Sequence, residues 1–299
     1  FKMDRYLLET ALVAFWVLML TGAMLSAILP DLEACAEHGK RLVGRAELPL
    51  RVPKRWFSHF YALGLLVNTG ACIWMLQNAY KPFSGVLFEL HLARRLAECQ
   101  FLHDFGGSKV TKGTYLRGYS RSYSLCLKMH VLGYVVGLLH YLGAPVTLAV
   151  ADVLRERFTW AALAAVAVVM LGSAGQWHCH WVLAEGKGTE KKEGEEKEKG
   201  EREKRYFLPR EGLWEFLAVS SPHYLCEIGI YTGLLIGSYP STGFSETRLA
   251  VPLSSIAMTL WVLGNLAVVA RSTHKWYAER FGSTYTALQR TSLVPGVPL

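Results

Sequence analysis

Seven long apolar runs, at about 6–30, 59–79, 85–103, 124–149, 159–183, 213–240 and 249–272, dominate the chain and limit what it can become. Roughly 20 apolar residues at helical rise cross the hydrocarbon of a bilayer. A backbone there finds no water and must satisfy its own N–H and C=O groups, which an α-helix does within one segment. The expected fold is therefore an all-α integral membrane protein, with seven transmembrane helices in one bundle formed by residues 1–299 as a single domain. The first run is long for a signal-peptide core and lacks a small-residue cleavage pattern, so it reads as a span. A content of 52% hydrophobic residues in 299 fits this better than a soluble two-domain protein.

Basic residues orient the bundle. The segments 31–58, 104–123, 184–212 and the tail from 271 hold 6, 4, 9 and 4 Lys/Arg, whereas the N-terminus and the 80–84, 150–158 and 241–248 turns hold 2, 1, 2 and 1. By the positive-inside rule the C-terminus is predicted cytosolic and the N-terminus lumenal. The net charge of +8 then reflects topology and contact with anionic headgroups. No nucleic-acid module accompanies it. Six cysteines without a CxxC pair form neither a disulfide framework nor a zinc ribbon, and the adjacent His178, Cys179 and His180 lack a second ligand cluster, so no metal is expected.

Polar residues inside the apolar runs carry the functional signal, because a charge near the bilayer centre costs about 2.5–3.5 kcal/mol even on lenient insertion scales. In the sixth run His223 and Glu227 lie four apart on one helical face, just after Pro222. Gly229, Gly233 and Gly237 follow at four-residue spacing and invite close approach by a neighbouring helix. The third run places His91, Arg94, Arg95 and Glu98 at spacings of three and four; one carboxylate cannot neutralise two arginines, which leaves a cation for a phosphate. Gln176 and His180 share a face at the end of the fifth run. Arg271, His274 and Tyr277 repeat every third residue as the last run ends.

These four polar faces all fall near the side that the basic residues mark as cytosolic, and together they predict one polar pocket at the mouth of an apolar bundle. Such a site suits a lipid-like substrate meeting a water-soluble anionic cofactor. No GxGxxG follows a strand and no GxxxxGK[ST] is present, so helix faces must hold any nucleotide. The mixed-charge run 186–205 reads as a solvated insertion or frayed helix without chemistry.

The segments VPKRWFSHFY (52–61), LHLARRLAEC (90–99), QWHCH (176–180), SSPHYLCE (220–227) and HKWY (274–277) resemble, in order, the motifs of the steroid 5α-reductase family and its polyprenol reductase branch. The resemblance implies a multi-pass endoplasmic reticulum protein using NADPH to saturate the α-isoprene unit of a polyisoprenoid lipid, in dolichol synthesis for protein N-glycosylation. It assigns cofactor contacts to Gln176, His180, His223, Glu227, His274 and Tyr277, with Arg94, Arg95 and Arg271 as partners for phosphate; Glu98, on the same helical face as Arg94, is counted with the cofactor-binding residues. The substrate-side Tyr of the steroid enzymes aligns with Leu92, which argues against a steroid.

An isolated allylic-alcohol alkene gives a hydride's electrons no sink, whereas an α,β-unsaturated aldehyde places them on oxygen, so the aldehyde is the better acceptor. His59 or Tyr61 would donate to that oxygen and supply the α-proton. They lie two apart and do not share a helical face. Rival readings are a steroid or enoyl-thioester reductase, a membrane methyltransferase using S-adenosylmethionine, and a lipid transporter or channel.

Overall fold

A computed structural model of the chain describes residues 2–29, 32, 50–103, 128–153, 160–195, 208–209, 218–238 and 252–297. Each apolar run carries one long helix: α1 Lys2–Ile28, α2 Phe57–Gln77, α3 Phe83–Phe101, α4 Val131–Val153, α5 Trp160–Glu195, α6 Pro222–Gly237 and α7 Leu253–Phe281, followed by a short α8, Ser283–Thr286. Among the described residues, five segments are long and apolar enough to cross a membrane: Tyr6–Ile28, Lys54–Gln77, Val131–Val153, Trp160–Ala184 and Leu253–Phe281. Their outward side chains suit lipid, since Leu18, Leu66 and Leu171 are each more than 70% exposed.

The other two helices differ from the expected seven spans for separate reasons. Glu89, Arg94, Arg95 and Glu98 interrupt the apolarity of α3. The 16 residues of α6 rise only about 24 Å. The sixth run is also not one continuous helix. Pro222 opens α6 rather than kinking it, so its missing N–H falls among groups that a helix start leaves unpaired anyway. Before it, Val219 makes a parallel bridge to Thr291, and the Ser220 amide donates to the Thr291 carbonyl at 2.9 Å.

Helices α5 and α6 pack along each other, as do α1 with α7 and α2 with α3 and α4. Two of the three expected glycines form the α5–α6 seam. A Cβ on Gly233 would lie 2.7 Å from Val169 Cγ2 and 3.2 Å from the Ala165 carbonyl oxygen, and Gly237 also faces Ala165, while Gly229 faces open space. Gly172 answers from α5, where a Cβ would lie 2.9 Å from the Cys226 carbonyl oxygen. This approach brings the Gln176 and His180 face of α5 against the His223 and Glu227 face of α6. Trp16, Phe88, Leu92, Leu148, Ile230 and Met258 fill the shared core.

One element has no counterpart in the sequence reading. Strand β1, Arg51–Pro53, pairs antiparallel with β2, Lys128–His130, with Val52 opposite Met129. Segment 52–61 is thus a strand, a 3-10 turn over Lys54–Trp56 and the first turn of α2. The helical backbone of α5 continues to Glu195, ten residues into the charged run; 196–205 lies outside the described residues, as does the basic loop 104–123.

Candidate active site

Three of the four expected polar faces meet. On α3, Arg94 and Arg95 both pair with Glu98, whose side chain is 3% exposed. A guanidinium N–H of Arg94 also donates to Gln176 Oε1 on α5, and Arg95 Nη1 lies 2.9 Å from His180 Nδ1. That nitrogen is 2.8 Å from Glu98 Oε2, so it either accepts from the guanidinium or donates to the carboxylate. Gln176 Nε2 donates onward to Glu227 on α6, and His91 Nε2 lies 3.3 Å from Glu227 Oε1.

The charge balance differs from the expected spare arginine. With Glu227 in the same network, two guanidinium groups meet two carboxylates, and the buried set is neutral. Arg95 has a partner at every nitrogen, because its Nε and Nη2 groups also donate to the Tyr61 hydroxyl, at 3.2 and 2.7 Å. Arg94 keeps one buried donor, Nε, without a hydrogen-bond partner.

A cavity of about 550 Å³ opens against this network. Its polar end is formed by Tyr61, Arg95, Gln176, His180, His223 and Glu227, and its apolar walls come from residues of α1, α2, α4 and α7 such as Met19, Phe60, Val136 and Leu266. The structure separates the two rivals on α2. Tyr61 is buried and lines the cavity, whereas His59 is exposed, 3.0 Å from the Tyr134 hydroxyl and beside the Trp56 ring.

The fourth face does not line the cavity. Val269 is the last α7 residue to do so, and the helix continues beyond it. Three-residue spacing also drifts about 60° per step around a helix. Arg271 is accordingly exposed, His274 half-buried and Tyr277 buried. His274 Nδ1 lies 2.8 Å from Ser220 Oγ and 2.7 Å from the Tyr285 hydroxyl, and Tyr277 stacks on Tyr285 with centroids 5.4 Å apart. Burial raises the phenol of Tyr285 above its usual range and lowers the guanidinium of Arg290, which donates to the Pro209 carbonyl.

Only His180 of the His178–Cys179–His180 run joins the network. Its ring, His103 and Glu98 bring three possible metal ligands within 4.8 Å of one another. The Arg95 guanidinium bonds both Glu98 and lies against His180, so a cation there would face a fixed positive charge.

Three residues that sequence reasoning did not assign belong to the site. His91 was visible in its motif, but its contact with Glu227 needs the α3–α6 packing. His140 and Tyr231 line the cavity. A lone histidine in an apolar run was the signal for the first, and the position one turn after Glu227 was the signal for the second.

A family model described as 3-oxo-5-alpha-steroid 4-dehydrogenase matches residues 148–298. The chain is similar to polyprenal reductase 2 of Arabidopsis thaliana, 25% identical with 92% of this chain and 94% of that protein covered. It is also similar to the polyprenal reductases of Homo sapiens, at 26% identity over 92% and 90% of the two chains, and of Drosophila melanogaster, at 25% over 78% and 73%. The matched half holds α5 and α6, which supply Gln176, His180, His223 and Glu227, and α7. The chain belongs to the 3-oxo-5-alpha-steroid 4-dehydrogenase family.

Proposed function

We propose that this protein is an NADPH-dependent polyprenal reductase, which saturates the α,β double bond of a polyisoprenoid aldehyde in dolichol synthesis. The observation that carries this reading is the cavity itself, apolar along its walls and polar at one end. The similarity to polyprenal reductases over most of the chain supports the substrate class.

Gln176, His180, His223 and Glu227 would hold the nicotinamide end of the cofactor. Arg94, with its unpartnered Nε, and the exposed Arg271 suit phosphate, with His274 and Tyr277 beside that path. When bound, NADPH supplies a hydride to the β-carbon of the enal. The electron pair of the double bond then moves toward the carbonyl oxygen, giving an enolate. Tyr61 is the α-proton donor in this scheme. The two Arg95 N–H groups occupy its oxygen, leave its own hydrogen free of partners among the described residues, and stabilise the phenolate that remains. Water at the polar end returns the proton.

The expected setting is the endoplasmic reticulum membrane. All seven long helices cross or enter it, with the C-terminus cytosolic and the N-terminus lumenal, as the 23-to-6 division of Lys/Arg favours. The test is to incubate the purified protein with polyprenal and NADPH and to analyse the lipid by mass spectrometry. A product two hydrogens heavier is expected. Unchanged polyprenal, with NADPH intact, would overturn the proposal.

A further inference from the structure

Apart from Tyr61, the cavity holds a second phenol whose hydrogen-bond pattern can be worked out atom by atom. Trp261 Nε1 on α7 lies 3.1 Å from His140 Nδ1 on α4. An indole N–H only donates, so His140 Nδ1 must accept. The imidazole is then the neutral tautomer with its hydrogen on Nε2. That nitrogen lies 2.6 Å from the Tyr231 hydroxyl on α6, so Nε2–H donates to the phenol oxygen. Tyr231 cannot return its own hydrogen to His140, and among the described residues that hydrogen has no other acceptor. His140, Tyr231 and Trp261 all line the cavity, and Tyr231 is 1% exposed.

We infer that Tyr231 is a further catalytic residue, which donates a hydrogen bond to the carbonyl oxygen of the enal and holds the enolate that forms there. His140 and Trp261 are positioning residues: they fix the tautomer, and the tautomer directs the phenolic hydrogen into the cavity. The inference rests on the enal-reductase reading above and divides the work between two phenols. Hydride addition forms a C–H bond at the β-carbon and moves the π pair onto oxygen; Tyr61 then gives its proton to the α-carbon and the C=O re-forms. Tyr231 keeps its proton throughout, so only Tyr61 needs reprotonation. The titratable and charged groups around Tyr231 are His91, with ring centroids 6.4 Å apart, His140 at 5.5 Å, Glu227 one turn earlier on α6, and Tyr61, Tyr141 and Arg95, which line the same cavity.

The experiment begins with wild-type protein, polyprenal and NADPH. Absence of conversion there is failure of the enal-reductase reading, and it is seen before any variant is made. With conversion established, Tyr231→Phe is expected to lose roughly a hundredfold or more in kcat, the usual cost of removing one oxyanion donor, while NADPH affinity stays unchanged. A kcat within about threefold of wild type would overturn the inference. Replacing Tyr231 with 3,5-difluorotyrosine covers the case in which the Phe variant misfolds. The more acidic phenol should lose its hydrogen at lower pH, so the alkaline limb of the kcat profile should move down. An unmoved limb would assign Tyr231 to packing alone.

Discussion

Substituting Glu227 with Gln tests whether this buried carboxylate serves the cofactor or only the fold. The structure sets the size of the effect. Arg94 Nη2 lies 3.3 Å from His91 Nδ1, and a guanidinium only donates, so His91 carries its hydrogen on Nε2, which lies 3.3 Å from Glu227 Oε1. Gln176 Nε2 presents a second hydrogen to the same carboxylate. One oxygen accepts from Gln176 and the other faces the His91 ring. A glutamine has one oxygen, so one donor would instead meet an amide NH₂. The loss is one charge-assisted hydrogen bond, about 1.5–3 kcal/mol, or roughly ten- to a hundredfold in an equilibrium. The buried network also changes from neutral to a net charge of one. Against this, a neutral isostere keeps the packing and removes the desolvation cost of the carboxylate, so folded yield should change little. The assay is NADPH affinity and kcat/KM with polyprenal, beside thermal unfolding in the same detergent. A fall of roughly ten- to a hundredfold in cofactor use with a nearly unchanged melting temperature is expected. Full turnover in the variant would refute the reasoning and leave Glu227 with a structural role alone.

Gly233→Leu should destabilise the bundle by about 1–3 kcal/mol and disturb the site, because its side chain would meet Val169 and the α5 backbone. Gly229→Leu, which faces open space, should leave melting temperature and turnover close to wild type. Measuring kcat/KM with NADPH and NADH for Arg94→Ala, Arg95→Ala and Arg271→Ala should separate the arginines. Loss of Arg94 or Arg271 should narrow the preference for NADPH by roughly ten- to a hundredfold, and loss of Arg95, which holds Tyr61, should slow turnover with both cofactors. Protease-accessible tags should report a cytosolic C-terminus and a lumenal N-terminus, and tags on one side would refute the seven-span count.

The seven runs of apolar residues located the seven long helices, because burying an unpaired backbone in hydrocarbon is forbidden wherever the run is long enough. Helix ends were less legible. The apolar run stops near 272 and Arg271, His274 and Tyr277 were read on the same helix beyond it, but no signal fixed the end, which comes at Phe281, where Gly282 adopts φ +52° and stops α7. Leaving the bilayer does not end a helix; a change of backbone conformation does. Spacing brought Arg94, Glu98, Gln176, His180, His223 and Glu227 into view because i,i+4 pairs share a face in any helix. Spacing could not choose between His59 and Tyr61, since that depends on how α2 is rotated against α3 and α4. Nor could it show that α7 carries His274 and Tyr277 past the cavity to meet Tyr285. His140 and Tyr231 were hidden for a related reason: each reads as one polar group in an apolar run, and only the crossing of α4, α6 and α7 joins them.

The central claim is reduction of a carbon–carbon double bond next to a carbonyl, and isotope tracing tests it most directly. Polyprenal is incubated with NADPH deuterated in its transferable position, and separately with unlabelled NADPH in D₂O, and the product is analysed by NMR. The expected result is deuterium from the cofactor on the β-carbon and deuterium from solvent on the α-carbon. Cofactor deuterium on the former carbonyl carbon, with the double bond intact, would show simple aldehyde reduction and contradict the account.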